Sequence, residues 1–178
     1  LLLLLVAVLL LGIWGVGFGL AMALALIANG ALPHLTRVKI PPSYSSAIAK
    51  IKFGKYAEAE WEVIKELEQC EDDFNGWMML AELYAVHFRD FKQAEQTVID
   101  LCEQPGINAS NVCVALHRLA DWYLQLQNDP QGARRCMEAI SRRYPGTHLD
   151  KMARLRLNRL PHTREEWIEQ NRRKPLHL

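Results

Sequence analysis

Three stretches of the chain repeat one another, and this recurrence limits the available folds more than any other feature. Ala47, Ala81 and Ala120 correspond, spaced 34 and 39 residues apart. Ala59, Ala94 and Ala133 correspond as well, spaced 35 and 39. Around these positions apolar residues recur with helical period, and nothing reads as a strand. Recurrence every thirty to forty residues is the mark of stacked supersecondary units. A single helical hairpin cannot shelter its own apolar face, so neighbouring units must stack to bury it. Small alanines let the two helices of a unit cross closely, and large side chains fill the space between units. The expected fold class is therefore all-α, with a short α-solenoid of three helical hairpins plus a capping helix over residues 47–160.

The residue types within each unit narrow this further. The second unit carries Trp77, Leu80, Ala81, Tyr84 and Ala94, and Pro105 closes it. The third carries Leu119, Ala120, Tyr123, Ala133 and Pro145, with Leu116 where the second has Trp. The first carries Ala47, Gly54, Tyr56 and Ala59 but has a short first helix without a large aromatic. On these residues the soluble part of the chain, about residues 43–160, resembles the tetratricopeptide repeat family. The resemblance implies a protein-binding domain in which the first helix of each unit lines a concave groove. Mapped through the signature positions, that groove falls on Asn75, Met78, Glu82, Ala85, His117, Asp121 and Gln125. Exposed helix faces account for the same positions equally well. The aromatics Trp61, Trp77, Tyr84, Trp122 and Tyr123 are expected to be packing residues first.

The ends of the array have their own signals. Residues 149–160 form an amphipathic stretch suited to capping an array. Pro161 breaks it, and Thr163-x-x-Glu166 reads as a capping box opening a short last helix. Residues 161–178 are thus a short helix and a tail.

Residues 1–34 contain no Asp, Glu, Lys or Arg. About 20 apolar residues suffice to cross a bilayer as a helix, so residues 1–33 are expected to be a transmembrane helix, stopped by Pro33. A secretory signal is too short to account for the run. Gly12, Gly15, Gly19 and Ala23, with Trp14 and Phe18, suggest a small-residue ridge that packs on other membrane helices. Residues 34–46 form a linker containing Pro41-Pro42. Arg37, Lys39, Lys50, Lys52 and Lys55 precede the first acid, Glu58. The positive-inside rule then puts the soluble domain on the cytoplasmic side.

Charge is uneven behind a net value of +1. Residues 50–110 carry −7 and residues 111–178 carry +6. Such a module can orient on a partner, although charged helix faces are usual on any soluble domain. The arginines Arg134, Arg135, Arg142 and Arg143 are a candidate contact for anionic lipid. Nucleic acid is not expected, since no recognition motif or aromatic platform accompanies them.

No catalytic motif is present: no H-E-x-x-H, G-x-S-x-G, phosphate loop or C-x-x-C-H. The chain is expected to be no enzyme and to need no cofactor. Cys113 and His117 share a helix face, but two ligands do not make a zinc site. The acids Glu66, Glu68, Glu71, Asp72 and Asp73 lack the spacing of a calcium loop. Cys70, Cys102, Cys113 and Cys136 have no paired spacing and read as core filling. The expectation is a membrane-anchored scaffold or adaptor, an accessory or assembly subunit of a larger membrane complex. Its membrane helix would meet other subunits, and its repeat domain a soluble protein or peptide. The alternative is a regulatory domain of a multi-span membrane enzyme whose catalytic part precedes residue 1.

Overall fold

A computed structural model describes residues 41–172, in which local signals of helix initiation and arrest mark out eight α-helices. The proposed membrane run, with Gly12, Trp14, Gly15, Phe18, Gly19 and Ala23, lies outside the described residues. The chain divides into two compact units, and the eight helices belong to the second, Pro42–Leu178. They are α1 (Ser45–Lys52), α2 (Tyr56–Gln69), α3 (Phe74–Glu82), α4 (Phe91–Glu103), α5 (Ala109–Leu126), α6 (Pro130–Arg143), α7 (His148–Leu157) and α8 (Arg164–Arg172). A π-helical turn, Leu83–Phe88, prolongs α3. Among the described residues there is no strand, and no helix is long and apolar enough to cross a membrane.

Most helices begin where a short polar side chain can take an orphan backbone N–H. Asp73 accepts from the Gly76 N–H at 2.8 Å, Asp90 from Gln93 at 3.0 Å and Asn108 from Asn111 at 2.8 Å. Thr163 accepts from Glu166 at 3.2 Å, while the Glu166 carboxylate takes the His162 N–H at 2.8 Å. The capping box therefore forms, with its return bond one residue earlier than the usual pattern. Proline opens α6 at Pro130, where no N–H is needed.

Each helix packs on the next in chain order: α1 on α2, α2 on α3, and so on to α6 on α7. Helices that pack together across turns of a few residues must run back against each other. The turns inside the three aligned pairs share one design. Gly54, Arg89 and Asn128 adopt left-handed φ of 72°, 57° and 50°. The next residue in each case bonds back across the turn: Lys55 to the Lys50 carbonyl, Asp90 to Tyr84 and Asp129 to Tyr123, each at 2.9 Å. All six aligned alanines are at most 1% exposed.

The pairs are also joined to one another by a recurring polar bond. The Tyr84 hydroxyl donates to Glu60 of α2 at 2.5 Å, and the Tyr123 hydroxyl donates to Glu95 of α4. Both glutamates directly follow the aligned alanine of the preceding unit. The pattern stops at each end. Lys50 stands where the later units have tyrosine, and its ammonium turns to Glu62 at 2.7 Å. Arg134 stands where the earlier units have glutamate, and it donates to the Leu157 and Leu160 carbonyls at 3.1 and 3.2 Å. A basic group suits that place, since the last carbonyls of a helix carry partial negative charge.

Two apolar clusters result. The smaller joins Ala47, Ala59, Val63, Leu67, Leu80 and Leu83. The larger centres on α4 to α6, with Trp122, Met137 and Ile140 buried within it. Trp77 and Tyr84 pack against both. One expectation is corrected: Trp61 is 65% exposed and fills no core. On α2 it stands two residues from both Ala59 and Val63, which are fully buried. Two steps of a helix amount to about 200°, so position 61 faces away from the side those residues bury.

Candidate functional site

A stack of helices offers a partner the trough between successive first helices, and here one trough is well formed. Ile51 of α1 and Asn75, Met78, Met79 and Glu82 of α3 line a groove of about 380 Å³, completed by Leu83 and His87 of the π-helical turn. Its floor is mostly aliphatic and thioether, and its polar groups are an amide, a carboxylate and an imidazole. Methionine suits such a floor because its unbranched chain adapts to varied partners. The imidazole is fixed by stacking on Tyr56, with ring centroids 4.3 Å apart. Glu82 reaches Arg118 of α5 at 3.1 Å, a mostly exposed pair that orients more than it stabilises.

Three of the seven residues expected in the groove, Asn75, Met78 and Glu82, thus share one site. Ala85 does not join them, being 4% exposed. Between Glu82 and Ala85 the helix passes into the π-helical turn. Ala85 also follows the fully buried Ala81 by four residues, about one helical turn, and so shares its core-facing side. Ile51, Met79, Leu83 and His87 join the groove without having been expected there. Ile51 occupies the place in the first unit that Ala85 holds in the second, so the alignment of the repeats carries that signal.

His117 and Asp121 are engaged within the domain. The Arg156 guanidinium of α7 lies 2.9 Å from His117 Nδ1 and donates to Asp121 Oδ1 at 2.5 Å. Gln125 is exposed near the end of α5. Because arginine is always a donor, His117 Nδ1 must be the acceptor and the ring neutral. Burial, then the positive charge of Arg156, lowers the His117 pKa below its ordinary 6.5, against a weaker opposing pull from Asp121. The unfolded chain therefore takes up this proton first as pH falls. Stability from the neutral ring is present above about pH 6.5 and declines as pH drops towards the folded-state value. Urea midpoints measured between about pH 7 and 5 should fall more steeply in the native chain than in His117→Gln. Equal slopes would contradict the neutral assignment.

None of the four cysteines is in a disulfide, and all four are buried. Burial pushes the Cys102 thiol up to about 11 and the Cys136 thiol up to about 12. Thiols so placed stay protonated near neutrality and are poor nucleophiles and ligands. Among the described residues no group of three His, Cys, Asp or Glu side chains could hold a metal ion. The basic cluster is engaged internally: Arg143 donates to the Cys102 carbonyl at 2.7 Å, Arg135 lies 3.3 Å from Asp129, and Arg142 lies 4.0 Å from Glu138.

A second hollow, of about 300 Å³, lies between α2 and the start of α3, lined by Ile64, Leu67, Trp77 and Leu80 among others. The Trp77 indole N–H donates to the Glu71 carbonyl at its edge, at 2.7 Å. No family model matches this chain, and no curated protein is similar to it.

Proposed function

We propose that the chain is a membrane-anchored adaptor of the tetratricopeptide type, which holds a soluble protein segment against a larger membrane assembly. The observation that carries this reading is the groove between α1 and α3, where Asn75, Met78 and Glu82 come together over an apolar floor. Its mouth offers a hydrogen-bonding amide and a carboxylate, and its floor offers adaptable apolar contact. This combination suits an apolar anchor residue on a partner segment better than it suits catalysis. The charge-free N-terminal run supports the anchor, and its glycine ridge supports contact with other membrane subunits.

Two variants of the full chain separate these contacts. Met78→Arg puts a charge on the groove floor at a half-buried position and should abolish capture of the soluble partner from native membranes. Gly15→Ile combined with Gly19→Ile should release the membrane subunits and keep the soluble partner. Partners retained by Met78→Arg would exclude the groove, and membrane subunits retained by the glycine pair would exclude the ridge.

A further inference from the structure

We infer that the turn between α1 and α2 is a lipid-contact tip, in which Phe53 enters a bilayer surface and Lys52 and Lys55 meet anionic headgroups. This tip rests on the membrane anchor proposed above.

Phe53 is 81% exposed, well beyond Trp61 at 65% and Leu155 at 55%. A firmly bonded turn holds it there. The Phe53 N–H donates to the Ala49 and Lys50 carbonyls, both at 3.2 Å. The Gly54 N–H donates to Ile51 at 3.0 Å and the Lys55 N–H to Lys50 at 2.9 Å. A Cβ added at Gly54 would meet nothing within 4 Å, so the tip stands in open space. An apolar ring fixed in water in this way gains by burial and loses little entropy on contact.

The matching turn of the second unit shows what the first one lacks. There Phe88 occupies the equivalent place but joins Tyr84 and Tyr56, at centroid distances of 5.8 and 6.5 Å. It is 38% exposed, less than half the value for Phe53. The second and third turns also place an aspartate, Asp90 and Asp129, at the start of the following helix, where the first turn has Lys55. Lysine is a poor residue for that position, since a helix start favours negative charge and a capping oxygen. Lys55 gains only an exposed contact with Glu58, at 3.2 Å. Among the described residues no carboxylate lies within 4 Å of Lys52. Departures from local rules without gain inside the fold mark functional positions.

The flanking charge and the tether select the occupant. Two lysines beside an exposed aromatic match an anionic interface, where the ring lies among headgroups and the ammonium groups reach phosphate. Phe53 follows the end of the uncharged stretch, Thr36, by only 17 residues. So short a link to an anchored segment keeps the local concentration of bilayer surface high.

The test uses the full chain in phosphatidylcholine vesicles with and without phosphatidylserine. Phe53→Cys carries an environment-sensitive nitrobenzoxadiazole probe, and Gln170→Cys on α8 carries the control. The native cysteines, at most 6% exposed, should not label in the folded protein. The probe at 53 should emit at shorter wavelength than at 170, and shallow spin-labelled lipid should quench it. Adding Lys52→Glu with Lys55→Glu should remove the enhancement that phosphatidylserine brings. Identical emission at both sites overturns the tip. A shifted emission that lipid quenchers leave untouched also overturns it, by showing that protein covers the ring. Carbonate extraction of the same vesicles reads the anchor separately. Release of the chain overturns the anchor and the tip with it, whereas a retained chain with a water-exposed probe overturns the tip alone.

Discussion

Trp122→Ala is expected to destabilise the domain by about 3–5 kcal/mol, the range for deleting a buried Trp. Trp122 is 2% exposed and is the largest fully buried side chain of the described residues. It lies in the larger cluster, and the Arg118 guanidinium covers its ring at 5.4 Å from the centroid. Removing it leaves a void between close-packed helices that cannot collapse without moving α5. In a stacked array the loss should fall first on the third pair, because each unit contacts only its neighbours. The smaller cluster around Val63 and Leu67 shares no buried residue with the larger one. Unfolding in urea, followed by circular dichroism in mild detergent, should therefore broaden or split as well as shift. A change below about 1 kcal/mol would contradict the packing described.

Ala94→Trp should be comparably damaging for the opposite reason. Ala94 is fully buried on α4 at a position aligned with Ala59 and Ala133. There is no room at such a crossing for an indole, and overpacking forces the backbones apart at a cost of about 3 kcal/mol, the upper end of the usual range. Ala57→Trp is the control, since Ala57 is exposed on α2 and a surface change should stay within about 0.5 kcal/mol. The two variants should differ sharply in urea midpoint. Equal midpoints would mean that the aligned alanines are not the crossing points.

These residues also show what sequence can and cannot reveal. The aligned alanines are legible because a close helix crossing tolerates almost nothing else, and all six are buried. The all-helical class follows from periodicity, and the short last helix from Thr163 and Glu166. The exposure of Trp61 escapes a reading in which size alone implies burial, although its phase between Ala59 and Val63 points outward. The burial of Ala85 is legible in phase, since it lies one helical turn beyond the aligned Ala81, although the repeat signature maps it to the groove. The covering of His117 and Asp121 by Arg156 depends on a contact between residues 35 or more apart. No local pattern encodes a long side chain reaching that far. Part of the groove is legible because signature positions point to one face of the first helix. Ile51 is legible only through its alignment with Ala85, because it belongs to a unit whose own signature is weak.

Each unit is latched to the one before it, the tyrosine of one pair bonding the glutamate that follows the crossing alanine of the last, and the stacking order stands on that bond. A double-mutant cycle tests it most directly, with Tyr84→Phe, Glu60→Gln, Tyr123→Phe and Glu95→Gln compared in urea. Coupling of at least about 0.5 kcal/mol is expected for Tyr84 with Glu60 and for Tyr123 with Glu95. None is expected for Tyr84 with Glu95. Additive effects in both matched pairs, or coupling in the mismatched one, would contradict the stacking order.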